Sequence, residues 1–191
     1  MAAQEARLRC GDDKFSEIGR NRLLGRRGED SVQADRGDSG GGNELTKVLY
    51  FKGRVLLEGR AKGEALVTRR AFTFAHGVEP STGVVTDVRS DLMGESVREK
   101  VLFFPFGKGS TTGAAWFLET VRVGNGPAAV LTQTAETMVV TGAVLGEILY
   151  GRRIPVMTDF PTTMAEVIRT GDLITVETKD RQVSVTREND D

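Results

Sequence analysis

From about residue 45 onward, the pattern of apolar and polar positions predicts a mixed α/β fold. Short apolar runs typical of strands occur at residues 47–51, 54–57 and 63–67. Residues 84–87 follow as a further strand. The run Val101-Leu-Phe-Phe104 is continuously apolar, which is typical of a strand that is buried on both faces.

The second half of this region predicts helices alternating with strands. Apolar residues recur at helical spacing over 114–121, and residues 135–150 are apolar almost all round, ending at Gly151. The strands that complete the pattern are predicted at 128–131, 154–158, 173–178 and 182–186, the last two as a hairpin. This order of strands and helices indicates an α/β fold with a central β-α-β-α-β unit, and we interpret residues 45–191 as one compact layered domain.

Residues 1–44 have a different composition. They are rich in charged residues and glycine, contain one aromatic residue, and include the linker-like stretch Asp35-Arg-Gly-Asp-Ser-Gly-Gly-Gly-Asn43. Such a segment buries too little apolar surface to offset its chain entropy. We therefore predict a disordered N-terminal tail in which Cys10 is an exposed thiol; the alternative is an arm that docks on a partner subunit.

The charge and the rare residue types limit the possible functions. Lys and Arg number 26 against 27 Asp and Glu, a net charge of −1, so there is no electrostatic case for nucleic acid or an anionic membrane surface. One cysteine and one histidine, His76, exclude a disulfide framework and a Cys- or His-built metal site from this chain alone. The sequence shows no transmembrane run or secretory signal, which predicts a cytoplasmic protein.

A glycine-rich loop lies between the apolar run ending at Phe104 and the first predicted helix. Free N–H groups at a helix start favour an anion, and glycines let the backbone approach a ligand closely. The candidate ligand-contacting residues are Gly107, Lys108, Gly109, Ser110, Thr111 and Thr112. The loop is either an ordinary N-capped turn or a cradle for a carboxylate or phosphate, with Ser110 placed for proton transfer.

Two common motifs do not describe this loop. A Walker A motif requires Gly and Ser or Thr where Leu102 and Gly109 stand, and no Gly-x-Ser-x-Gly spacing surrounds Ser110. The loop is therefore neither a Walker A loop nor a nucleophile elbow.

The segment Gly77-Val-Glu-Pro-Ser-Thr-Gly83, then Asp87 and Leu92-Met-Gly94, and then Phe104-Pro-Phe-Gly-Lys-Gly-Ser-Thr-Thr-Gly113 resemble the small swivelling domain of aconitase X. Asp87 is a possible substrate contact, although a polar residue in such a loop is usually just solvated. Gly126-Pro-Ala-Ala129 and Arg153-Ile-Pro-Val156 continue the similarity in the same order. The resemblance implies a swivelling β/β/α domain that closes over an active site on a large partner subunit.

It also implies a hydro-lyase. The activities known in the family are the dehydration of mevalonate 5-phosphate and of cis-3-hydroxy-L-proline. The resemblance implies Ser110 as the general base, with Gly77 and the residues of the glycine loop contacting the small hydroxy-acid substrate. It places an iron–sulfur cluster on the large subunit and no cofactor on this chain, which would be inactive in isolation and act as a heterodimer.

Three positions depart from the family pattern. The family usually has two glycines where His76-Gly77 stands, Asp where Glu79 stands, and often a His near Ser90. These departures indicate either a different substrate or a paralogue that has lost activity. Two alternatives to the hydro-lyase subunit stay open. One is a non-catalytic interaction module that retains the fold, and the other is a phosphohistidine-type swivelling domain using His76, although the expected Thr-Ser-His context is absent.

Overall fold

A computed structural model describes residues 33–35 and 47–187, with side chains from residue 48 onward. The strands are β1 Gln33–Asp35, β2 Lys47–Lys52, β3 Arg54–Leu57, β4 Arg60–Val67, β5 Val78–Glu79, β6 Val84–Val85, β7 Val101–Phe104, β8 Ala129–Thr132, β9 Val156–Thr158, β10 Leu173–Glu177 and β11 Gln182–Arg187. The helices are α1 Thr111–Arg122, α2 Thr137–Tyr150 and α3 Thr162–Val167. The predicted helices and the central strands are all present.

Strand β4 joins two halves of the sheet, whose order is β1-β2-β11-β10-β4-β7-β8-β9-β3. Its first part pairs antiparallel with β10, from Arg60↔Glu177 to Glu64↔Leu173. Its last part pairs parallel with β7, from Ala65↔Val101 to Val67↔Phe103. One strand therefore belongs to both an antiparallel and a parallel half.

The parallel half is built from β4, β7, β8 and β9. Helix α1 connects β7 to β8, and α2 connects β8 to β9, as parallel neighbours require a crossover. The carboxyl ends of these strands therefore lie along one edge, where α1 and α2 begin. Loops at this edge are the usual position of ligand sites in such sheets.

Side-chain alternation along the parallel strands divides the core into two layers. Ala65, Phe103 and Leu131 belong to one cluster, which also contains β-strand residues of the antiparallel half and Met164 of α3. Their neighbours Leu66 and Leu102 belong to the second cluster, together with residues of α1, α2 and the segment between β4 and β7. Strands β7 and β8 are buried along their whole length. The predicted layered β/β/α fold is confirmed.

The structure differs from the sequence-based expectation in local details. Helix α3 was not predicted, and β6 ends at Val85 rather than at residue 87. Most of the predicted tail over 1–44, including Cys10, lies outside the described residues. The part of it that is described, Gln33–Asp35, pairs antiparallel with β2.

Candidate functional site

The glycine loop, residues 105–110, crosses the carboxyl edge of the parallel strands and is held there by backbone hydrogen bonds. The Phe72 N–H donates to the Phe106 carbonyl at 3.1 Å, and the Lys108 N–H donates to the Phe72 carbonyl at 2.9 Å. The Pro105 carbonyl accepts from the N–H groups of Gln133 and Thr134, just after β8. The loop is therefore tied to both neighbouring connections.

Ser110 is the N-cap residue of α1 but does not use its side chain as a cap. Its backbone is extended, with φ −171° and ψ 131°, and no side-chain cap hydrogen bond forms. The Gly113 N–H donates instead to the Ser110 carbonyl at 2.8 Å. The hydroxyl is solvent-exposed, and no acidic residue stands in the first turn. An exposed hydroxyl thus stands beside the positive end of a 12-residue helix.

Lys108 is paired with Asp87, and the sequence did not predict this pairing. The Lys108 Nζ lies 2.6 Å from Asp87 Oδ2, with the two side chains 35% and 10% exposed. The hydrogen bond from Lys108, followed by that from the Arg89 N–H, lowers the pKa of Asp87 from 3.8 to about 2. Lys108 therefore carries a neutralising partner, whereas the first turn of α1 contains no acidic residue that would offset the positive field of its backbone N–H groups.

Glu136 is a second acidic residue of the site, and the sequence analysis did not identify it. It is the N-cap of α2, and its Oε1 accepts from the Met138 N–H at 3.3 Å. A Cβ atom added to Gly107 would lie only 1.9 Å from Glu136 Oε2. A larger residue at position 107 would therefore require the Glu136 carboxylate to move, because this carboxylate packs directly against the loop. Local sequence patterns do not predict the contact between Gly107 and Glu136, which are 29 positions apart.

A small open pocket of about 20 Å³, room for about one water molecule, lies in front of this loop. It brings together the loop, the segment after β4 and the start of α2, and its lining residues are Phe72, Thr73, Phe74, Phe104, Gly107, Lys108, Gly109, Ser110, Gly113, Glu136, Met138 and Val139. Thr111 and Thr112 are exposed in the first turn of α1 and do not line it. Phe106, in the same loop, is 52% exposed.

Gly77 and His76 lie in the turn that precedes β5. Gly77 is buried, and a Cβ atom there would lie 2.2 Å from the Thr73 carbonyl oxygen. His76 is exposed, adopts φ 54°, and contacts the Trp116 ring of α1 with centroids 4.6 Å apart. The structure therefore gives Gly77 a packing reason, and its contact with substrate stays a prediction.

The described residues do not fit a metal or cluster site. Within 33–35 and 47–187, no group of three His, Cys, Asp or Glu side chains is placed to hold a metal ion. The same residues contain no helix with the length and apolar character needed to cross a membrane.

Comparison with known proteins agrees with the geometry. The family model described as the aconitase X swivel domain matches residues 50–185. This chain belongs to that family. The swivel domain is 40% identical over 137 residues to the phosphomevalonate dehydratase small subunit of Thermococcus sibiricus, covering 72% of this chain and 98% of the relative. The corresponding Methanosarcina mazei small subunit is 31% identical, with 74% and 94% covered.

A solved structure gives the same result. The crystal structure of Thermococcus kodakaraensis aconitase X in its holo-form superimposes with a TM-score of 0.64 and 34% identity, covering 71% of this chain and 97% of that one. The predicted family and the swivel-type fold are thus confirmed. Both curated relatives are, by name, small subunits of a dehydratase, which is the enzyme class that the resemblance implied.

Proposed function

We propose that this chain is the small subunit of a dehydratase that acts on mevalonate 5-phosphate together with a large subunit. The names and the near-complete coverage of the relatives support the substrate and the two-subunit assembly. The site itself supports the division of labour. It offers a hydroxyl, a set of backbone N–H groups, the Asp87 carboxylate paired with Lys108 and the Glu136 carboxylate that caps α2. Among the described residues it holds no metal-ligating cluster.

Ser110 is the general base in this proposal. The observation that carries it is the free state of its side chain, because an N-cap serine normally accepts a hydrogen bond from its own helix and this one does not. As an alkoxide, Ser110 Oγ would take a proton from the carbon next to the substrate carboxylate. The electron pair of the broken C–H bond then forms the double bond as the β-hydroxyl leaves. The N–H groups and positive dipole end of α1 favour the alkoxide.

The anionic groups of the substrate bind to the same loop. The N–H groups of Thr111 and Thr112 belong to the first turn of α1 and have no partner within the helix. Gly107 and Gly109 leave the loop backbone accessible, and Lys108 adds an ammonium group at its edge. We assign the iron–sulfur chemistry, and with it the departure of the hydroxyl, to the large subunit.

Reconstitution with the large subunit tests this function. We expect the complex to dehydrate mevalonate 5-phosphate and to leave cis-3-hydroxy-L-proline largely unchanged. Ser110→Ala should lower kcat by about a hundredfold or more, the usual contribution of a positioned base. The matched control is Ser184→Ala, a serine on β11 in the antiparallel half, which should retain normal turnover.

The possible outcomes separate the alternatives. Wild-type activity with either substrate establishes a hydro-lyase, and the preferred substrate decides its class. Normal turnover of Ser110→Ala would remove Ser110 from the role of base. A complex that forms but dehydrates neither substrate would favour the non-catalytic interaction module.

A further inference from the structure

The glycine loop is held from two sides by one segment of the chain. Phe72, at the start of the segment between β4 and β7, accepts and donates the backbone hydrogen bonds described above. Asp87, further along the same segment, holds the Lys108 side chain. Lys108 lies between Gly107 and Gly109, and Gly109 adopts φ 63°. Because glycines restrain the backbone weakly, the tethers at Lys108 decide where this part of the loop stays.

The carboxylate of Asp87 is itself fixed. Its Oδ2 accepts from Lys108 Nζ, while Oδ1 accepts from the Arg89 N–H at 3.0 Å and from Arg89 Nε at 3.4 Å. Its backbone carbonyl accepts from the Ser90 N–H at 2.9 Å. With both oxygens engaged and the side chain largely buried, the carboxylate has little freedom to follow a moving lysine. The hydrogen bond from Lys108 lowers the pKa of Asp87 from 3.8 to about 2, so the carboxylate stays charged in acid as well as in the neutral range.

We propose that Asp87 is a positioning residue for the dehydratase site: through Lys108 it holds the glycine loop so that Ser110 faces the substrate. This inference rests on the proposed function, in which Ser110 is the base. A displacement of the base by about 1 Å costs as much as a hundredfold in rate, so a tether two residues away has a kinetic consequence.

A simpler role for Asp87, neutralising the charge of Lys108, predicts different changes in kcat and KM from a positioning role. If the carboxylate only neutralised Lys108, its removal would free a cation next to an anion site. The KM for an anionic substrate would then fall and kcat would stay the same. A positioning role predicts instead that kcat falls while KM changes little. The direction of the two constants therefore distinguishes the roles.

The kinetic experiment uses the reconstituted complex with Asp87→Asn, Lys108→Met and the double variant. We expect Asp87→Asn to lower kcat by about tenfold and to change KM by less than about threefold. The double variant should have the kcat of Lys108→Met, because Asp87 acts through Lys108 and the two effects are not additive. The control is Asp180→Asn, an exposed aspartate between β10 and β11, which should behave as wild type. Additive losses, or a lower KM at unchanged kcat, would overturn the proposal.

A second measurement does not depend on activity. In the isolated full chain, the Lys108 amide is protected by its hydrogen bond to Phe72. Asp87→Asn and Lys108→Met should each speed hydrogen exchange of this amide by about tenfold, without changing the amides of β7. If the wild-type complex is inactive but this exchange pattern is observed, the proposed function is rejected, while the conclusion that Asp87 holds the loop through Lys108 stands. Unchanged exchange in both variants would show that Asp87 does not hold the glycine loop through Lys108.

Discussion

The two long helices begin at the same edge of the parallel strands, but their first turns are completed differently. Helix α2 starts at Glu136, whose side chain accepts a hydrogen bond from the Met138 N–H. Helix α1 starts at Ser110, a better capping residue, yet its hydroxyl makes no such bond. The capped start contributes to stability, while the uncapped one leaves a hydroxyl and N–H groups available to a ligand. Within one fold, the same structural position serves stability in one helix and, in the proposed function, chemistry in the other.

The start of α2 is also in contact with the loop that leads to the start of α1, so a change at one start can affect the other. Glu136 Oε2 packs against Gly107 in the loop that leads to Ser110. The cap of α2 is thus part of the wall that shapes the loop in front of α1. Variants at either start should therefore affect the free energy of unfolding and kcat to different degrees.

Phe117→Ala tests the packing on which both helix starts depend. Phe117 is fully buried, contacts the Phe74 ring at 4.6 Å, and lies against Gly142 of α2. Truncation leaves a cavity between the helices and the sheet, so we expect a loss of about 3–5 kcal/mol in the free energy of unfolding. Urea denaturation of the full chain measures it, with the exposed Val123→Ala as control. A loss below about 1 kcal/mol would show that the helices are held elsewhere.

Gly107→Ala tests the contact between the two starts. The new methyl group fits only if the Glu136 side chain swings away and gives up its cap, so we expect a loss of about 1–2 kcal/mol and a lower kcat in the complex. Chemical denaturation and steady-state kinetics measure the two effects. In a Glu136→Ala background the same substitution should cost almost nothing. Equal costs in both backgrounds would place the strain in the loop backbone instead.

Glu136→Ala and Ser110→Ala form a matched pair for the caps. Loss of the Glu136 cap should lower the free energy of unfolding by about 0.5–1 kcal/mol, whereas Ser110→Ala should leave it unchanged because no cap is lost. Thermal and urea unfolding of the full chain provide the comparison. If Ser110→Ala were as destabilising as Glu136→Ala, the serine would cap its helix in solution and could not be a free base at the same time.

The smallest effect is a pH dependence that originates at Asp87. Its folded-state pKa, about 2, lies below the ordinary 3.8, so the pairing stabilises the fold above about pH 4 and is lost as the pH falls toward 2. Since Lys108 is partly exposed, we expect about 1 kcal/mol at most. The difference in unfolding free energy between wild type and Asp87→Asn should shrink over this interval. A constant difference would assign the effect of the variant to shape rather than charge.

Much of the fold was predictable because its signals are local. The β-α-β-α-β unit follows from continuously apolar strands and helical spacing, and the loop at Ser110 follows from its glycines. Helix α3 was missed because it spans six residues and starts after Pro161 without a side-chain cap. The pairing of β11 with both β2 and β10, and the position of β3 at the far edge beyond β9, depend on contacts distant in sequence.

The same limit applies to the site. Ser110, Lys108 and the glycines were identified from composition and from the family resemblance. Asp87 and Glu136 act on them from 21 and 29 residues away, across connections whose path the sequence pattern does not specify. The sequence therefore indicated which groups have chemistry to offer, whereas the folded chain was needed to find what restrains them.

The double membership of β4 has a consequence for synthesis on the ribosome. Its first residues pair with β10, and β11 is the strand that connects β10 to β2. While residues 173–187 are still inside the exit tunnel, β2 and the first part of β4 have emerged without the partners that complete their ladders. Open strand edges are the usual points of intermolecular association. We therefore expect nascent chains to need protection until residue 187 has emerged, and arrested chains ending before β10 to bind chaperones more strongly than those that include β11.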